Sequence, residues 1–144
     1  MKHSVPVITF NFLYSFRLPE RRKTRGAIIS LFGQEKKALK RLDYIFCPDD
    51  YLLKINQEYL QHDSLTDIIT FDLSDDQHVL RGEVYISIER VQENSLKFDV
   101  PFLTELHRVI FHGALHLCGY KDKKPGETKE MREKENKYLN MFLP

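Results

Sequence analysis

The stretch from residue 102 to 117, FLTELHRVIFHGALHL, constrains the fold more than any other part of the sequence. It is the most apolar helical pattern in the chain, and a helix that apolar belongs at the centre of a fold. Gly119 stands just beyond it, where a glycine ends a helix in the left-handed conformation. Shorter elements surround it. Residues 5–14 (VPVITFNFLY) alternate as a strand does, and residues 42–47 (LDYIFC) form a short apolar strand. Residues 19–34 (PERRKTRGAIISLFGQ) are basic first and apolar later, which predicts a helix with Arg and Lys outward. Pro48-Asp49-Asp50 opens a helix through Leu60. Residues 67–73 (DIITFDL) and 82–88 (GEVYISI) read as strands with an exposed acidic turn at 74–77, and Pro125 starts a charged helix to about Met141. Interleaved strands and helices, with too few βα units for a barrel, predict an α+β fold whose sheet is covered by helices.

At 144 residues the chain is expected to form a single domain, residues 1–144. A hydrophobic content of 42%, with 6 Gly and 6 Pro, excludes a disordered or collagen-like chain. No run approaches the roughly 18 apolar residues of a membrane-spanning helix, so no membrane partner is expected. Residues 1–22 lack the ordered basic, apolar and small-residue regions of a secretory signal. Two cysteines, Cys47 and Cys118, make no disulfide framework, which points to a reducing, cytoplasmic setting.

The net charge of +1 conceals segregation. Residues 17–41 hold nine cationic against two acidic side chains, whereas residues 43–99 hold four against thirteen. A basic segment of this kind attracts polyanions locally, although the ordinary reading of such a run is a solvated helix face.

The chemistry concentrates in His112, His116 and Asp122. Two histidines four apart on a helix lie on one face, a turn apart, and reach a common ion at about 2.0–2.1 Å. Gly119 lets the chain reverse and return Asp122 as a third ligand. Three protein ligands leave a position for water, the arrangement of a catalytic rather than a structural zinc. A histidine pair alone arises often by chance; the spacing H-x3-H-x2-G-x2-D is far more restrictive. His107 lies about 140° off the ligand face and reads as structural or as an outer partner. Cys118 reads as a small buried hydrophobe. Zinc proteases of the form H-E-x-x-H-x-x-G-x-x-H share the frame, but Gly113 occupies the position of their general base, which disfavours peptide hydrolysis. A two-histidine, one-carboxylate iron oxygenase ranks lower, because nothing suggests a jelly roll.

Residues 112–122, HGALHLCGYKD, together with Ile55-Asn56, residues 66–71 (TDIITF) and residues 82–87 (GEVYIS), resemble the ordered blocks of the YbeY family of metal-dependent endoribonucleases. The resemblance implies a mixed four-stranded sheet with helices, the metal helix running beneath a cleft. It also implies cleavage of single-stranded RNA in ribosomal RNA maturation and ribosome quality control, with the small ribosomal subunit and its RNA as partners. One Zn2+ or another divalent metal would be held by His112, His116 and Asp122, and metal-activated water would attack the phosphodiester. Two positions depart from the family. Asp122 replaces its usual third histidine, which keeps a competent ligand but adds negative charge and makes bound water less acidic. Leu60 stands where the family carries an Arg, leaving His62, Arg17 or the basic residues of 21–25 to meet the developing charge. Thr66 and Asp67 are candidates for the cleft, Asp67 as a carboxylate orienting a metal-bound histidine; their ordinary reading is the turn before a strand. Arg21, Arg22, Lys23, Arg25, Lys121, Lys123 and Lys124 are candidate RNA contacts. The competing functions are a non-catalytic, metal-stabilised ribosome-assembly factor and a divergent zinc hydrolase of another substrate.

Overall fold

The computed structural model describes residues 5–60 and 66–143. Its elements in chain order are β1 (Val7–Phe12), α1 (Arg21–Gln34), β2 (Ala38–Cys47), α2 (Asp49–Tyr59), β3 (Ile68–Asp72), β4 (Val79–Ser87), α3 (Ile88–Lys97), α4 (Phe102–Leu117) and α5 (Pro125–Phe142). The sheet has the order β1-β2-β4-β3, with β1, β2 and β4 parallel and β3 antiparallel to β4. This is the mixed four-stranded α+β sheet that the family resemblance implied.

Strand alternation decides which layer each residue serves. Leu42, Tyr44 and Phe46 of β2, Val84 and Ile86 of β4, and Ile68 of β3 pack into the main core with α4. Their neighbours Cys47, Ile69, Phe71 and Tyr85 turn to the opposite face, where Leu52 and Ile55 of α2 cover them. α4 crosses the first face with Leu106, Ile110, Phe111, Ala114 and Leu115 fully buried, and each such large side chain taken out of water contributes about 1.5–3 kcal/mol. α1 and α5 flank it.

The crossing is close at one point. A Cβ on Gly113 would stand 2.8 Å from Val84 Cγ1 and 3.0 Å from Ile68 Cδ1, so only glycine lets α4 approach the sheet there. That position faces the sheet and not the cleft, which is the physical reason it holds no general base.

Several boundaries differ from the sequence expectation. β1 is shorter than residues 5–14, and β2 begins at Ala38, four residues earlier than expected, through the charged Lys40 and Arg41 and a register irregularity. β4 likewise starts at Val79. Ile88 belongs to no strand: it begins α3, a helix unforeseen in the sequence, because the Ser87 hydroxyl accepts the Arg90 N–H at 3.1 Å and converts the strand end directly into a helix start. The expected acidic turn holds, closed by Asp76 accepting from the backbone N–H groups of His78 and Val79. Among the described residues no helix is long and apolar enough to cross a membrane.

Candidate metal centre

α4 carries His112 and His116 on one face, with ring centroids 4.5 Å apart and planes nearly perpendicular. The helix then stops on a double hydrogen-bonded turn. Gly119, at φ 109°, sends its N–H to the His116 carbonyl, and Tyr120 sends its own to Leu115. This reversal brings Asp122 back over the rings, its side chain 36% exposed at the mouth of the site. Thr128 of α5 holds the far end of the connection, its hydroxyl within 2.9 Å of the Asp122 carbonyl.

Both imidazoles are oriented from behind. His112 Nδ1 lies 2.7 Å from Glu135 Oε2 and His116 Nδ1 lies 2.9 Å from the Tyr120 carbonyl. A carbonyl and a carboxylate only accept, so each Nδ1 carries a hydrogen and Nε2 is the ring atom left to ligate an ion. Nε2 faces Asp122, whose Oδ2 lies 3.2 Å from that of His112 and 3.4 Å from that of His116. Three atoms able to ligate one cation thus face a common point. Ligands about 2.05 Å from a tetrahedral ion lie about 3.3 Å apart, so the donor set and its spacing fit a divalent metal. Among the described residues these three form the one group of His, Cys, Asp or Glu close enough to hold an ion.

The same field acts on protons. Burial is the strongest influence on His112 and lowers its proton affinity, but the hydrogen bond and charge of Glu135, with the charges of Asp122 and Asp67, outweigh it and raise its pKa. Burial pushes the carboxyls of Asp67 and Glu105 above their ordinary values.

The centre opens into a cleft of about 860 Å³ between α4, the free edge of β3 and α5. Thr66 and Asp67 are among its lining residues, and the carboxylate on the histidine ring is Glu135, 23 residues from His112. Glu135 also accepts from Arg108 at 3.3 Å and lies 3.6 Å from Arg132. Glu105, Arg108, Arg132 and Glu135 are cleft residues that the sequence reading did not single out; the steps of three and four from Glu105 to Arg108 to His112 along α4 were the available signal for the first two, and α5 offered none. Leu60 lines the cleft too, while His62 lies outside the described residues.

Of the candidate RNA contacts, Lys123 lines the cleft, with Lys121 and Lys124 exposed beside it. Arg21, Arg22, Lys23 and Arg25 are on α1 and are not among its lining residues. Three of them lie over the protein's own aromatic rings: Arg21 on Phe12, Lys23 on Phe142 and Arg25 on Phe10. His107 is buried and structural, with Nε2 2.8 Å from the Thr24 hydroxyl and Nδ1 2.7 Å from the Leu103 carbonyl. Cys118 is buried in the core.

A family model described as Endoribonuclease YbeY matches residues 18–143. The chain is 48% identical to Endoribonuclease YbeY of Flavobacterium psychrophilum over 94% of its own length and 96% of the relative's. It is 46% identical to Endoribonuclease YbeY of Bacteroides fragilis, covering 85% of this chain and 87% of that one. Among solved structures it resembles the solution structure of TM1509 from Thermotoga maritima, with a TM-score of 0.65, 26% identity, and coverage of 94% of this chain and 88% of the other.

Proposed function

Because the chain belongs to the Endoribonuclease YbeY family, we propose that it is a zinc-dependent hydrolase of single-stranded RNA. Its place is ribosomal RNA maturation and ribosome quality control in the cytoplasm, with the small ribosomal subunit and its RNA as partners. The observation that carries this reading is the convergence of His112 Nε2, His116 Nε2 and Asp122 Oδ2 at the mouth of a cleft.

A divalent cation held by these three atoms would supply Lewis acidity at a phosphoryl oxygen and a lowered pKa for a coordinated water. The chain's own residues do the rest. Glu135 and the Tyr120 carbonyl fix the tautomers, so that neither ring has to reorganise during turnover. Arg132, 58% exposed, and Lys123 present cationic groups to the non-bridging oxygens of a phosphodiester. They stand in for the family Arg absent at Leu60. Arg108, held by Glu105 at 3.4 Å and by Glu135, keeps the carboxylate behind His112 in place rather than meeting substrate.

The test is His116→Ala, assayed by elemental analysis of the purified protein and by cleavage of a single-stranded RNA. Loss of both bound metal and cleavage, with an unchanged circular dichroism spectrum, is expected. Cleavage at the full rate by metal-free His116→Ala protein would refute the proposal.

A further inference from the structure

Behind the metal centre lies a buried carboxylate that the mechanism above does not use. Glu35 closes α1, and its backbone is fixed by a double-bonded turn: Lys36, at φ 56°, donates to the Gly33 carbonyl and Lys37 donates to that of Phe32. Its side chain is 7% exposed. Oε1 accepts from the Tyr120 hydroxyl at 2.6 Å, and Oε2 accepts from Lys134 Nζ at 3.2 Å and from the Tyr138 hydroxyl. Burial alone would lift this carboxyl, but the two phenols and Lys134 hold it below the ordinary glutamate value, so it is ionised at neutral pH. Lys134 Nζ also stands 5.4 Å from the centroid of the Tyr120 ring. The Tyr120 side chain is therefore gripped by one group from α1 and one from α5.

Tyr120 is also the residue whose carbonyl accepts His116 Nδ1. It follows Gly119, which is held at a positive φ, and precedes Asp122 by two residues. Glycine gives that turn backbone freedom which a metal site cannot tolerate. A side-chain anchor one residue later removes it. We propose that Glu35 is a positioning residue of the metal centre: by pinning Tyr120 it holds the carbonyl that orients His116 and fixes the start of the short path to Asp122. His112 is held by a separate route, through Glu135, and so serves as an internal control.

The inference rests on the metal-binding reading of His116, and its test uses two readouts besides activity. The first is long-range nitrogen-15 NMR of histidine-labelled, metal-free protein, which reads the tautomer of each ring. The wild type is expected to show His116 in the Nδ1–H form. In Glu35→Ala the His116 signals move toward an average of both tautomers while those of His112 stay in place. The second is zinc competition against a chromogenic chelator, where Glu35→Ala weakens binding by about tenfold, at the low end for partners of metal ligands. Glu35→Gln, which keeps an acceptor for Tyr120, recovers most of both. Should Glu35→Ala fail to fold, Tyr120→Phe removes one hydroxyl, leaves the backbone carbonyl, and is expected to move the same two readouts. A purely structural role would lower Tm in either variant and leave the His116 tautomer and zinc affinity as in wild type, which overturns the proposal. A wild-type protein that takes up no zinc would instead overturn the metal reading, and the tautomer measurement would still judge the hold of Glu35 on His116.

Discussion

Replacing Glu135 by Gln isolates the contribution of the carboxylate behind His112. Glu135 uses its two oxygens for different neighbours: Oε2 accepts from His112 Nδ1 at 2.7 Å, and Oε1 accepts from Arg108 at 3.3 Å with Arg132 at 3.6 Å. A glutamine offers one oxygen and one NH2. If the oxygen faces His112, the NH2 meets two guanidinium groups; if it faces the arginines, the NH2 meets the Nδ1 hydrogen. One donor–donor contact therefore appears in either rotamer, in a place where the side chain is 6% exposed. Loss of an outer partner of a metal-bound histidine costs about 10- to 100-fold in metal affinity, or about 1.4–2.7 kcal/mol. Zinc bound only by the folded chain, as proposed above, would stabilise it, so the stability increment between metal-free and zinc-loaded protein should shrink by the same amount at fixed excess zinc. In a chain of this size that is a zinc-induced rise in Tm smaller by roughly 3–10 °C than in wild type. The assay is thermal unfolding of each protein with and without zinc, so that any change in metal-free stability cancels, joined to the chelator competition. An undiminished increment with unchanged zinc affinity would refute the argument that Glu135 sets the ring.

Two further substitutions probe the scaffold. Gly113→Glu would complete the H-E-x-x-H frame of a protease, yet it is expected to yield no folded protein by circular dichroism, because a Cβ there already stands 2.8 Å from the buried Val84; a folded, peptide-cleaving variant would contradict the close approach of α4. His107 gives a pH signature. Burial is the strongest influence on it and holds its pKa below 6.5, so its contribution is full above that value and fades as the pH falls toward the folded-state pKa. The stability advantage of wild type over His107→Gln, from urea unfolding of metal-free proteins that both retain His112, should shrink from about pH 7.5 to about pH 5.5; a constant or growing difference would be inconsistent with a neutral buried ring.

What could be read in advance divides by sequence distance. His112, His116, Gly119 and Asp122 span eleven residues, so helix periodicity and one glycine turn are enough to bring them together. Glu135 sits in α5 among Glu127, Glu130 and Glu133, and nothing in a charged amphipathic helix marks which glutamate turns inward. Glu35 meets Tyr120 across 85 positions, a contact made only when α1, α5 and the turn after α4 pack together. α3 escaped notice because Ser87 both ends a strand and caps a helix, with no glycine, proline or change of composition between them. The basic segment shows the same limit: charge alone marks it as a candidate contact, whereas the packing sets Arg21, Arg25 and Lys23 over the rings of Phe12, Phe10 and Phe142 and leaves the segment outside the cleft lining.

The charges around the cleft make the proposed role of a metal in RNA binding a measurable quantity. Among the described residues, five carboxylates, those of Asp67, Asp72, Glu105, Asp122 and Glu135, line the cleft against three cations, Arg108, Lys123 and Arg132, and Arg108 is already paired with Glu105 and Glu135. Burial lifts Asp67 and Glu105 toward their protonated forms and lessens the imbalance without reversing it. A phosphodiester approaching the metal-free cleft meets an acidic wall. The two positive charges of a divalent ion held at its mouth would change that sign where the proposal places the scissile phosphate. Binding of a cleavage-resistant single-stranded oligonucleotide, followed by fluorescence anisotropy at fixed ionic strength, should therefore fall when a chelator strips the protein and return when zinc is restored. Binding through Arg21, Arg22, Lys23 and Arg25 would behave in the opposite way: indifferent to chelator and lost when those four are replaced by Ala. Equal affinity of metal-free and zinc-loaded protein, combined with sensitivity to the α1 substitutions, would move the RNA off the cleft and onto α1.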